Sequence, residues 1–108
     1  MWTPTKLREH LAARPALLLY FKNDHCAPCV ALRPKVKELV ERHFPRMEML
    51  VIDTLAHPEL AGEFQVFANP TLLVFFEGKE YIRKSKYVSL PELEQEIGRL
   101  YNLVFEQE

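Results

Sequence analysis

A chain of 108 residues has the length of one ordinary domain, enough to bury a single core without obligatory disulfides or metals. Its 48% hydrophobic and 27% charged residues describe a folded globular protein, and a formal charge of −1 gives no reason to expect nucleic acid or an acidic membrane surface. Two cysteines are too few for a disulfide scaffold and fit a reducing compartment better than a secreted mini-protein. The apolar run over residues 16–21 is too short for a signal-peptide core with a cleavage site, and no segment approaches the length of a transmembrane helix. The expectation is a single cytoplasmic, soluble domain over 1–108, with no membrane and no nucleic acid among its partners.

In chain order, residues 5–14 predict a short amphipathic helix, with Thr5 as N-cap, Leu7 and Leu11 on one face and Pro15 closing it. Ala16 to Lys22 is nearly all apolar and bounded by Pro15 and Asn23-Asp24, the pattern of a strand buried on both faces and central in a sheet. Behind the cysteines, Leu32, Val36, Leu39, Val40 and Phe44 share one helical face, with charged residues opposite, until Pro45 ends the run. Met47 to Asp53 is a second strand, parallel to the first by the crossover rule, which completes a βαβ unit. His57 to Phe64 predicts a short helix with Pro58 in its first turn.

The second half reads as ββα. Thr71 to Phe76 and Lys79 to Ser85 are separated only by Glu77-Gly78, the spacing of a tight antiparallel hairpin. Ser89 followed by Glu92 matches a capping box, with Leu93, Ile97, Leu100 and Val104 on one face of the closing helix.

Both cysteines, Cys26 and Cys29, are expected at the C-terminal end of the first strand, in the first turn of the next helix, in the stretch NDHCAPCVALRP. Orphan amides and the dipole at a helix N-terminus favour negative charge, so a thiolate at Cys26 is stabilised relative to a free thiol of pKa roughly 8.5. Cys29, one turn on, is near enough to attack a mixed disulfide formed at Cys26. Pro28 stiffens the first turn without losing a hydrogen bond, since its N–H would have no intrahelical partner. Two other readings compete. A structural bridge closing so small a loop would remove little unfolded-state entropy. A metal site through His25, Cys26 and Cys29 lacks a second half, because His10, His43 and His57 are isolated in the sequence.

The succession of strand, Cys-x-Pro-Cys, helix, a distant Pro-Thr, hairpin and last helix resembles the thioredoxin family, over about Leu7 to Leu103. Cys26-Ala27-Pro28-Cys29 is similar to the family's Cys-Gly-Pro-Cys, and Pro34 falls where its active-site helix carries a kinking proline. Asn69-Pro70-Thr71 falls where the family has a residue, a cis-proline and a threonine, and Glu77-Gly78 falls at its hairpin turn. The resemblance implies a thioredoxin-like α/β fold: a mixed four-stranded sheet flanked by helices, with an N-terminal helix in place of the first edge strand and Met47 to Asp53 at one edge. It also implies a cis Pro70 beside the thiols and an Asn69 backbone that pairs with an extended substrate segment.

The implied activity is that of a thiol-disulfide oxidoreductase, with Cys26 as nucleophile and Cys29 as resolving thiol. Active-site tuning or substrate binding would fall to His25, Ala27, Pro28, Asn69, Pro70 and Thr71. No cofactor is implied beyond the redox-active Cys26–Cys29 pair. Partners would be disulfide-containing client proteins and a thiol or flavoprotein reductase as electron donor, with the chain acting as a monomer. An alternative is a non-catalytic docking module or redox sensor that keeps the fold. The departures concern tuning: His25 stands for the family's tryptophan and can carry a charge that favours the Cys26 thiolate. Tyr20 stands for its buried aspartate, Met49 for the accompanying lysine and Lys86 for a glycine before the last helix. On a central strand an aromatic at position 20 reads as core packing.

Overall fold

The first helix starts from Thr3, whose side chain accepts the Lys6 amide at 3.2 Å from an extended backbone (φ −105°, ψ 163°). Pro4 follows at the first helical position, where its missing N–H costs nothing, and α1 runs over Pro4–Ala13. The expected cap, Thr5, therefore lies inside the helix: a proline presets the helical φ of the first turn, so the hydroxyl ahead of it takes the capping role. Leu7 and Leu11 are buried, as their spacing requires.

The structure is a computed structural model that describes residues 2–23, 25 and 27–105, with Pro28 and Cys29 described by backbone alone. After α1 come β1 (Ala16–Lys22), α2 (Ala27–His43), β2 (Glu48–Asp53), α3 (Pro58–Glu63), β3 (Thr71–Phe76), β4 (Lys79–Ser85) and α4 (Leu90–Phe105). The four strands form one sheet in the order β2-β1-β3-β4, with β1 and β2 parallel and both other pairs antiparallel. Among the described residues no strand precedes α1, so β2 is an edge, as expected.

Alternation along the strands divides the interior into two cores. Leu18 and Tyr20 of β1, with Leu72, Val74 and Phe76 of β3, pack under Val36, Leu39 and Val40 of α2 and Leu93 and Ile97 of α4. Leu17, Leu19 and Phe21, with Leu73 and Phe75, pack under Leu7 and Leu11 of α1 and Leu60 of α3. Helices thus cover both faces, which is why Ala16 to Phe21 are all buried. Each fully buried Leu or Phe contributes roughly 1.5–3 kcal/mol of transfer free energy before conformational entropy is counted.

The turns that close these layers are local in origin. Glu77 (φ 53°) and Gly78 (φ 83°) both take the left-handed region, the backbone of a two-residue turn matched to strand twist. Ser89 Oγ accepts the Glu92 amide at 3.3 Å to open α4, while the Glu92 carboxylate faces Lys84 Nζ at 3.6 Å. On α4, Leu93 and Ile97 are buried, and Leu100 and Val104 are half-buried against the same core.

Candidate active site

The parallel strands β1 and β2 end side by side, in register from Leu17 beside Glu48 to Lys22 beside Asp53. Lys22 Nζ lies 3.3 Å from Asp53 Oδ2, and Asp53 Oδ1 accepts the amides of Leu55 at 2.9 Å and Ala56 at 3.3 Å. These contacts, the Leu55 amide foremost, hold the Asp53 carboxyl below its ordinary range against the opposing effect of burial. The ends of the two strands are therefore tied together before the chain turns into α2.

That turn is made by Asn23, whose Oδ1 accepts the His25 amide at 2.8 Å, and α2 begins at Ala27. Cys26 lies outside the described residues, as do the side chains of Pro28 and Cys29. The backbone of residues 27–29 opens α2, where amides without intrahelical acceptors and the positive end of the dipole favour an anion. His25 and Ala27 are exposed.

Against this helix stands the segment before β3. The Asn69–Pro70 peptide is cis, and Pro70 is buried in a groove that Ala31 and Leu32 of α2 also line. The structure thus brings Pro70 against the helix that opens directly after Cys26 in the sequence. Thr71 is only 1% exposed; its Oγ1 donates to the Ala68 carbonyl at 2.6 Å and lies 3.2 Å from Ser85 Oγ. Its hydroxyl is engaged within the turn that leads into β3. The Thr54 hydroxyl stands 3.2 Å from the Lys22 carbonyl and 3.5 Å from Asn69 Oδ1, so the loop after β2 bridges β1 to Asn69.

Lys86 completes the constellation. Its amide donates to the Pro70 carbonyl at 2.8 Å, and its φ of 65° is one that an L residue adopts at a cost. The neighbouring Tyr87 is exposed. Sequence reasoning missed Thr54 and Tyr87: the parallel register at the end of β2 could have pointed to Thr54, and an aromatic beside Lys86 to Tyr87.

Tyr20, in the position of the expected acid, is fully buried in the core shared with α2. Burial pushes its phenol up to about 12, and the nearby Arg33 guanidinium acts in the opposite direction. Met49 packs against the same core. Three histidines are engaged with carboxylates: His10 with Glu48 at 2.9 Å, His43 with Glu94 at 3.7 Å and His57 with Glu59 at 3.4 Å. Among the described residues no group of three or more His, Cys, Asp or Glu side chains is arranged to hold a metal ion, and no helix is long and apolar enough to cross a membrane.

Comparison with known proteins places this geometry. The thioredoxin family model matches residues 1–99. The chain is 33% identical over 85 residues to the thioredoxin-like protein YdfQ of Bacillus subtilis (strain 168), covering 79% of this chain and 75% of that protein. It is 28% identical over 94 residues to the bifunctional thioredoxin reductase/thioredoxin of Mycobacterium leprae (strain TN), covering 83% of this chain but only 20% of that longer protein. The solved thioredoxin 1 of Thermosipho africanus TCF52B superposes with a TM-score of 0.74 at 28% identity, over 81% of this chain and 96% of that one. With its mixed four-stranded sheet, its Cys-x-x-Cys at the start of α2 and its cis-proline against that helix, the chain belongs to the thioredoxin family, whose members are protein-disulfide oxidoreductases.

Proposed function

We propose that this protein reduces protein disulfides through Cys26 and Cys29. The observation that carries the reading is the junction of β1 and α2: the helix opens at Ala27, directly after Cys26, and packs beside the cis Asn69–Pro70 segment. A helix start stabilises a thiolate, and a proline without an N–H leaves the Asn69 backbone as a short edge for an extended client.

In this reading the Cys26 thiolate attacks one sulfur of a client disulfide. A Cys26–client S–S bond forms as the client's own bond breaks, and the departing sulfur takes a proton. Cys29, giving its proton to water or His25, then attacks the Cys26 sulfur and releases the second client thiol. The client gains two electrons and two protons, and the chain is left with a Cys26–Cys29 disulfide and no need of a bound cofactor. A thiol or a flavoprotein reductase restores the dithiol; the Mycobacterium leprae relative, which joins thioredoxin reductase and thioredoxin in one protein, supports that donor class. We place the protein in the cytoplasm, acting as a monomeric reductant. His25, Ala27 and Pro28 would tune the thiols in this scheme.

One observation favours a second reading. Tyr20 presents a buried phenol where the family's acid would stand, which suits a docking module or redox sensor that does not turn over. Turnover separates the two. Catalytic reduction of insulin, abolished in Cys26→Ser and accompanied by trapped mixed disulfides in Cys29→Ser, is the expected result. Stoichiometric binding without turnover would favour the docking module, and wild-type turnover in Cys26→Ser would refute the mechanism.

A further inference from the structure

We propose that the rim beside Pro70 selects clients in which acidic residues flank the disulfide, so that Lys35 and Lys86 pair with client carboxylates while the groove takes an apolar side chain. The proposal rests on the thiol-disulfide reading above and names its substrate class. The groove, about 520 Å³, lies between α2 and the segment after β4, with Leu32 and Pro70 in its wall and Lys35 and Lys86 at its edge. Tyr87, also part of it, is 93% exposed, an aromatic surface held out to solvent.

The charge on this rim is local. The chain carries a formal charge of −1, yet among the described residues neither Lys35 nor Lys86 has an ion-pair partner. Other lysines do: Lys22 pairs with Asp53 at 3.3 Å and Lys84 with Glu96 at 3.0 Å. Among the described residues the one carboxylate lining the groove, Glu92, already faces Lys84 at 3.6 Å. Backbone geometry fixes where the Lys86 side chain leaves the chain, since its amide is held by the Pro70 carbonyl at 2.8 Å and its φ is 65°. A client strand lying along Asn69 and Pro70 would pass both cations. Carboxylates near its disulfide would gain two exposed pairs, and lysines there would meet like charge.

The test uses two matched peptides bridged by one disulfide, with glutamates flanking the cysteines in one and lysines in the other. Each rate is divided by the same protein's rate on hydroxyethyl disulfide, which carries no charge. The wild type should reduce the glutamate peptide with a kcat/KM about threefold to tenfold higher at low salt. The preference should shrink in about 0.5 M salt and vanish or invert in the double variant Lys35→Glu/Lys86→Glu. Equal rates on the two peptides, or a preference that the double variant keeps, would overturn the proposal. Failure to turn over insulin as well as hydroxyethyl disulfide would instead refute the catalytic reading. Fluorescence anisotropy of the two labelled peptides then decides the rim: tighter binding of the glutamate peptide supports it, and equal binding overturns it.

Discussion

The Lys86 amide reaches the carbonyl of Pro70 at 2.8 Å, and Lys86 adopts a left-handed backbone (φ 65°) to do so. The bond joins the end of β4 to the start of β3 where Thr71 and Ser85 pair in the sheet. A cation is thereby carried to the edge of the site by a backbone conformation that suits glycine.

Replacing Lys86 with Gly should therefore stabilise the protein. Left-handed backbone costs an L residue about 1–2 kcal/mol, and glycine returns roughly 0.5–1 kcal/mol of that as lost conformational freedom. The net gain is about 0.5–1 kcal/mol, a rise in Tm of roughly 2–6 °C. Urea unfolding of wild type and variant checks it, and an unchanged or lower midpoint would show that Lys86 makes a compensating contact.

Tyr20 sets an alkaline limit on stability. Its folded-state pKa, about 12, lies above the ordinary 10.0, so the stability gained by keeping the phenol protonated is fully present below pH 10 and lost as pH rises through about 12. Tyr20→Phe should lose stability less steeply than wild type over that window. Because the phenol is protonated near neutrality, the pH profile of insulin reduction between about pH 6 and 8.5 should keep its shape in the variant. A profile displaced by Tyr20→Phe would assign the residue a role in proton transfer.

Two glycines should respond in opposite directions to alanine. Gly78 has φ 83°, and a Cβ there would sit 3.1 Å from the Ala12 Cα of α1. Gly78→Ala should cost roughly 2–3 kcal/mol, from backbone strain and the displaced helix together. Gly62, inside α3, has nothing within 4 Å of a Cβ, and Gly62→Ala should stabilise by about 0.5–1 kcal/mol. Equal effects in thermal melts would contradict the packing of α1 on the hairpin.

Legibility in the sequence followed the range of the interactions. β3 and β4 were readable to the residue because Pro70 and Glu77-Gly78 punctuate them, and α4 because Ser89 caps it through a contact three residues away. The cap of α1 was misplaced by two residues, since Thr3 and Thr5 are chemically equal and only the position of Pro4 between them separates them. In the site, Asn69, Pro70 and Lys86 were identifiable through family resemblance. Thr54 and Tyr87 were not, because nothing local marks a threonine that reaches Asn69 from the next loop or an aromatic left uncovered.

Hydrophobic period and turn chemistry, both local, determined from the sequence alone the order of helices and strands and a Cys-x-x-Cys that follows β1 and runs into α2. Tertiary structure alone decided that Lys86 bonds to Pro70, that Thr54 bridges Lys22 and Asn69, and that Lys35 and Lys86 share a groove. Those relations join separate segments of the chain, and sheet register and the packing of α2 on the sheet bring them together.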